Sequence, residues 1–169
     1  RNPELVKQAA AVTAEEVVAT GIHWTFAPCL AVSRDERWGR AYESFSENPG
    51  LVTDYSAATI KGYQGNSLGE KGKILSTAKH FAGDGGTLWG TGSKGKIDRG
   101  NTMLNEDEFR RIHVEPYLPA IDAGVGSIMA SYNSWNGKKL HGKKDLLTGI
   151  IKEELRFEGI IVSDWQGID

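Results

Sequence analysis

The chain has 169 residues, 39% hydrophobic and 25% charged, the usage of an ordinary globular protein long enough for one core. A formal net charge of -2 gives no electrostatic case for a nucleic-acid partner, and no apolar run is long enough to span a bilayer, so no membrane partner is expected. Cys29 is the single cysteine, which excludes an internal disulfide, and the four histidines (His23, His80, His113, His141) are too scattered to predict a metal site.

In chain order, Asn2-Pro3-Glu4 supplies an N-cap, a proline at the first helical position and an early acid. Leu5, Ala9, Val12 and Val17 then repeat at helical spacing. Glu15 and Glu16 within this amphipathic pattern argue against a signal peptide. Residues 24–30 read as a buried strand, Asn48-Pro49 opens a second helix to about Tyr63, and residues 74–81 read as a second strand. Glycine clusters in residues 83–100, which read as a loop that orders over a site. Asn105 and the three acids after it cap a third helix, and residues 126–131 read as a third strand. Residues 145–155 follow as a fourth helix and 159–163 as a fourth strand.

Short apolar strands alternating with amphipathic helices predict an α/β fold of parallel βαβ units, either a doubly wound sheet or a (β/α)8 TIM-like barrel. The polar residues favour the barrel. Arg34, Asp35, Arg37 and Arg40 follow the first strand, and Lys79-His80 closes the second with Asp84 just beyond. Tyr132 and Asn133 close the third, and Ser163-Asp164-Trp165 closes the fourth. Reactive side chains at the C-terminal ends of successive strands are what a barrel site requires, whereas an open sheet gathers its ligand at one switch point. The expectation is therefore one partial barrel domain over residues 1–169, about four βα units of the eight that close a barrel. No second domain is expected within it, and the natural protein is expected to be longer.

Asp164 follows an apolar strand and precedes Trp165 and Gly167. A carboxylate there fits a nucleophile that attacks an anomeric carbon, and it equally fits an N-cap. Trp165 tilts the choice, because an aromatic face suits a sugar ring. Lys79 and His80 are donors for sugar hydroxyls, although strand alternation predicts that adjacent residues face opposite ways. Asp84 fits either a hydroxyl acceptor or a simple turn residue. The mixed charges from Arg34 to Arg40, with Glu43 and Glu47, read chiefly as an ion-pair network, from which one arginine offers its planar fork to substrate. Tyr132 either orients the nucleophile or fills the wall. The run from Gly90 to Lys96 imitates nucleotide-binding glycine patterns, but Ile97 stands where a metal-binding hydroxyl belongs and no helix follows. No cofactor is predicted.

Four segments occur in order: Phe26-Ala27-Pro28, Arg37-Trp38-Gly39-Arg40 with Tyr42-Glu43-Ser44, Lys79-His80-Phe81 with Gly83-Asp84-Gly85, and Ser163-Asp164-Trp165. Together they resemble glycoside hydrolase family 3, in its β-glucosidase and exo-β-glucan glucohydrolase branch. The resemblance implies an N-terminal catalytic barrel with Asp164 as nucleophile. It also implies substrate contacts from Arg40, Lys79, His80, Asp84, Met129, Tyr132 and Trp165. The implied substrate is a β-glucoside or β-glucan, hydrolysed with retention and without a cofactor or metal. A sugar-binding aspartate would precede this sequence, and a C-terminal α/β domain would supply the acid/base. The N-acetylglucosaminidase branch carries a His where Asp84 stands, and Asp98-Arg99-Gly100 does not replace its Asp–His pair. An extracellular or periplasmic location is what the resemblance favours. The alternatives are a non-catalytic carbohydrate-binding barrel, or a fragment inactive without its acid/base, and more distantly a nucleotide-binding domain.

Overall fold

The computed structural model describes residues 2–168. Helix α1 (Pro3–Ala19) begins where the sequence predicts, with the Asn2 side chain accepting the N–H groups of Glu4 and Leu5. Helix α2 (Pro49–Gln64) repeats the device, the Asn48 carboxamide accepting the N–H of Gly50 ahead of a first-turn proline. The two helices pack closely at Gly62, where a Cβ would stand 2.4 Å from the Lys7 carbonyl oxygen and 2.5 Å from Ala10 Cβ. Because the first of these is backbone, the overlap cannot be relieved by a rotamer change. Gly62→Ala is therefore expected to cost about 2 kcal/mol, read as a lowered urea midpoint. An unchanged midpoint would mean that the helices separate freely.

Strands β1 (Thr77–Phe81), β3 (Ser127–Ala130) and β6 (Ile160–Val162) form a parallel sheet in the order β1-β3-β6. The expected first strand is only an extended segment, joined to β1 and its lead-in by isolated parallel bridges at Trp24–Leu75 and Cys29–Lys79. Along this arc the strands of the sheet follow one another in chain order, with no reversal of direction. That is barrel connectivity, and a doubly wound sheet would show a switch point.

A buried polar clamp sets the register at the strand starts. Gln64, at the end of α2, donates to the Gly124 carbonyl at 2.8 Å and accepts from the backbone N–H of Ser76 and Gly126 at 3.0 and 2.9 Å. The Thr77 and Ser127 hydroxyls meet at 2.6 Å, and Trp24 Nε1 donates to Thr77 at 2.8 Å. With these groups satisfied, Leu30, Ala78, Phe81, Ile128 and Ile151 fill a continuous buried core.

Two helices depart from regular geometry. The third begins as α3 (Glu106–Phe109), with Asn105 accepting the Glu108 N–H at 2.9 Å. It then passes through a π-helical turn (Arg110–Val114) and a 3-10 turn (Glu115–Tyr117) before α4 (Leu118–Asp122). Pro116 and Pro119 remove the amides a continuous helix would need. The last helical segment, Asp145–Glu154, is wound with π-type hydrogen bonds.

A second small sheet was not expected. Strands β2 (Asn101–Thr102), β4 (Ser134–Trp135) and β5 (Lys138–Lys139) pair in the order β2-β4-β5. Asn136 and Gly137 form the hairpin turn between β4 and β5, both at positive φ (48° and 80°). Trp135 anchors this sheet by stacking on Phe109 at 4.1 Å and donating to the Leu104 carbonyl at 2.9 Å.

Candidate active site

The strand ends converge on two adjoining cavities of about 170 and 440 Å³, which share Arg40, His80 and Asp164. Lys79, Met129 and Trp165 line the larger one, Asp84 and Tyr132 the smaller. The eight residues that the resemblance names as nucleophile or substrate contacts therefore all line one or other of these adjoining cavities.

Lys79 and His80 do not face opposite ways as simple alternation predicts, since both border the larger cavity. The β1–β3 register shifts between Ala78 and Phe81, and the period of two breaks at this step. The Lys79–His80 peptide is cis.

Asp84 is placed by the turn after β1. Gly83 takes φ 95°, the left-handed conformation that favours glycine, and a Cβ there would lie 2.8 Å from the Phe109 ring. The Thr102 hydroxyl donates to the Gly83 carbonyl at 2.7 Å and accepts from the Asn133 amide at 3.0 Å. This chain of bonds ties the ends of β1, β2 and β3 together around the smaller cavity.

His80, 2% exposed, lies between two carboxylates. Its Nδ1 is 2.8 Å from Asp84 Oδ2, off the hydrogen-bond line, and its Nε2 is 3.9 Å from Asp164 Oδ2. Asp164 itself accepts the Trp165 N–H through Oδ1 at 2.6 Å. Trp165 is 79% exposed, presenting its ring at the cavity mouth.

Arg40 is gripped by Glu43, with bonds of 2.7 and 2.8 Å from Nε and Nη2 to the two carboxylate oxygens. Lys79 Nζ stands 3.8 Å from the same carboxylate. The Arg40 bonds are the main reason the Glu43 carboxyl lies below the ordinary range, and they raise the Arg40 pKa in turn. The ion-pair network expected in this segment is present, and it borders the cavity rather than only shaping a loop.

Residues 83–100 form a folded loop held by its own backbone bonds, among them Gly90 N–H to the Lys96 carbonyl at 3.0 Å and Ser93 N–H to the Asp98 carbonyl at 2.8 Å. Its buried Ile97 packs with Cys29, Ala31 and Trp38. The imitation nucleotide motif here leaves no strand and opens only a 3-10 turn, Ser93–Gly95. The loop instead delivers Asp98 and Arg99 to the smaller cavity, where the Arg99 guanidinium lies 4.5 Å above the Tyr132 ring. Neither was predicted as a site residue. Nor was His141, whose Nε2 accepts the Asp164 backbone N–H at 3.1 Å.

The profile of the glycosyl hydrolase family 3 N-terminal domain matches residues 1–169. A lysosomal β-glucosidase of Dictyostelium discoideum is 36% identical, over 99% of this chain and 20% of its own length. A β-xylosidase of Formosa agariphila is 37% identical, over 96% of this chain and 22% of its own. Among solved structures, the exo-1,3/1,4-β-glucanase of a Pseudoalteromonas species superposes with a TM-score of 0.92 at 49% identity, covering 99% of this chain and 21% of that one. The chain thus spans about a fifth of the length of the proteins it matches. With four motifs in order, barrel connectivity and a profile match from end to end, the chain belongs to glycosyl hydrolase family 3, in its N-terminal domain.

Proposed function

We propose that residues 1–169 form part of the catalytic barrel of a retaining glycosidase that removes terminal β-D-glucosyl residues from β-glucosides or β-glucans. The observation that carries this reading is the position of Asp164. Its carboxylate borders both cavities, surrounded by the donors Arg40, Lys79 and His80 and flanked by an exposed indole. Such a set suits a neutral, hydroxyl-rich ring: donors and Asp84 for the hydroxyls, Trp165 for the apolar face.

In the first step an Asp164 oxygen bonds to the anomeric carbon while the bond to the leaving oxygen breaks, and that oxygen takes a proton from a partner acid. In the second, water gives a proton to the resulting base and its oxygen displaces Asp164, releasing β-glucose with retained configuration. Hydrogen bonds from Arg40, Lys79 and His80 accelerate the chemistry to the extent that they tighten at the oxocarbenium-like transition state. Of the other two carboxylates of the smaller cavity, Asp84 lies against His80 with no hydrogen bond between them and Asp98 lies 3.7 Å from Arg99. The acid/base is assigned, on the family resemblance, to a C-terminal α/β domain outside residues 1–169. By itself the partial barrel would bind sugar without turning it over.

The test is mass spectrometry of the natural polypeptide after incubation with an activated 2-deoxy-2-fluoro-β-glucoside. A covalent sugar on the peptide containing Asp164 is the expected result. Label on another carboxylate would keep the class and overturn the site. A folded protein that takes no label and cleaves no β-glucoside would favour a non-catalytic carbohydrate-binding barrel. The corresponding xyloside decides between the two sugars named for the relatives, and faster labelling by the glucoside is expected.

A further inference from the structure

The mechanism above makes no use of His141. It sits in the short turn Leu140–Gly142, and its Nε2 accepts the Asp164 backbone N–H at 3.1 Å across 23 residues of sequence. The turn carrying Asp164 wraps closely around this imidazole. A Cβ on Gly167 would lie 2.4 Å from His141 Nε2, and the Gly167 N–H closes the turn on the Asp164 carbonyl at 3.0 Å. Tyr132 meets the imidazole edge-on at 5.5 Å between ring centres while its hydroxyl donates to the Trp165 carbonyl. Two side chains in mutual contact thus hold the backbone on either side of the Asp164–Trp165 peptide.

We propose that neutral His141, protonated on Nδ1, is the positioning residue for Asp164, and that protonation of Nε2 releases the turn and sets an acid limit to activity. This rests on reading Asp164 as the nucleophile. An imidazole accepts an N–H only through an unprotonated nitrogen, so an imidazolium at this place would set N–H against N–H. The hydrogen bond to Asp164 thereby assigns the tautomer.

The Asp164 carboxylate, at the end of β6, favours the cation; Lys139, on β5, opposes it; and Tyr132 presents a phenol on which the Arg99 cation stacks. Burial is the largest influence, and the net result holds the imidazole below the ordinary histidine value of 6.5. The sign follows. The bond to Asp164 exists above the folded-state pKa of His141 and is lost as the pH falls through it, on the acid side of 6.5.

Two variants in the natural polypeptide test this. His141→Phe fills the space and removes the acceptor. His141→Gln offers an amide oxygen that accepts an N–H at every pH. His141→Phe is expected to lower kcat on a nitrophenyl β-glucoside about tenfold, the equivalent of one lost hydrogen bond, with KM nearly unchanged. His141→Gln is expected to recover most of that loss and to move the acid limb of the kcat profile to lower pH. A wild-type acid limb in His141→Gln, or wild-type kcat in His141→Phe, overturns the proposal. Hydrogen–deuterium exchange of residues 160–167 at neutral pH separates this from the glycosidase reading. Protection lost in His141→Phe and kept in His141→Gln supports the anchor even if no β-glucoside is cleaved. Equal protection in both variants removes the anchor even if the enzyme is active.

Discussion

Asp164→Asn is expected to lower kcat on an aryl β-glucoside by roughly four orders of magnitude, the scale on which removal of a nucleophile is felt. Binding of glucose should persist within a few fold. The carboxamide has nearly the shape of the carboxylate, and its oxygen can still accept the Trp165 N–H that Asp164 Oδ1 now takes at 2.6 Å. Arg40 and Lys79 keep their contacts with Glu43 and the Trp165 carbonyl keeps its bond from Tyr132, so the surface proposed to bind sugar survives. What disappears is the anion proposed to form the glycosyl ester. Measuring kcat by steady-state kinetics and glucose affinity by calorimetry separates the two effects. Turnover at a tenth of the wild-type rate or better would remove Asp164 as nucleophile. Equal loss of binding and turnover would make it a structural cap.

Asp164→Gly sharpens the same test. With the carboxylate gone, azide can enter the space it held and attack the anomeric carbon of a substrate with a good leaving group. The product would be an α-glucosyl azide, because one displacement inverts where two retain. Recovery of turnover with that product requires Asp164 to have stood on the face opposite the leaving group.

Asp164, His80 and Asp84 were legible in the sequence because strand ends are marked by a change from apolar to polar residues, and a barrel gathers those ends in space. The capped starts of α1 and α2 were legible for a local reason: an Asn-Pro pair states its geometry within three residues. Lys79 was harder, because the register shift that turns it toward His80 comes from pairing with β3 some fifty residues later. The short sheet carried a local signal that was overlooked, since Asn136-Gly137 is the strongest two-residue hairpin turn. Residues 24–30 read as a strand by composition and do exchange backbone hydrogen bonds with residues 75–79, but the pairing is broken into two separate bridges, at Trp24 and Cys29, with Pro28 between them unable to donate. His141 had no local signal at all. Its role depends on one hydrogen bond spanning 23 residues and on the absence of a side chain at Gly167.

Glu43→Gln should lower kcat/KM about a hundredfold, nearly all of it through Arg40. Glu43 holds Arg40 by two bonds of 2.7 and 2.8 Å and stands 3.8 Å from Lys79, so one carboxylate sets the place of two cations at the cavity. Glutamine keeps the shape, but it neutralises the charge and can accept only one of the two parallel guanidinium bonds. Arg40 and Lys79 then share a partly buried site without the carboxylate that directly pairs them, Asp84 acting on Arg40 only through space. Removing one partner from such an arrangement costs about 3 kcal/mol, largely because of the charge left behind, and the guanidinium is expected to swing toward solvent. The carboxyl is held low chiefly by Arg40, so in the wild type the pairing is complete above the ordinary carboxylate range and fails only as the pH falls below it. Glu43→Gln should therefore remove an acid-side dependence that lies below the ordinary carboxylate range. A double-mutant cycle decides whether the route runs through Arg40. On an Arg40→Ala background, Glu43→Gln should cost only a few fold, because the group it positions is already absent. Full additivity would mean instead that Glu43 acts through Lys79 or meets the sugar directly, and Arg40 would lose its place as the anchored donor.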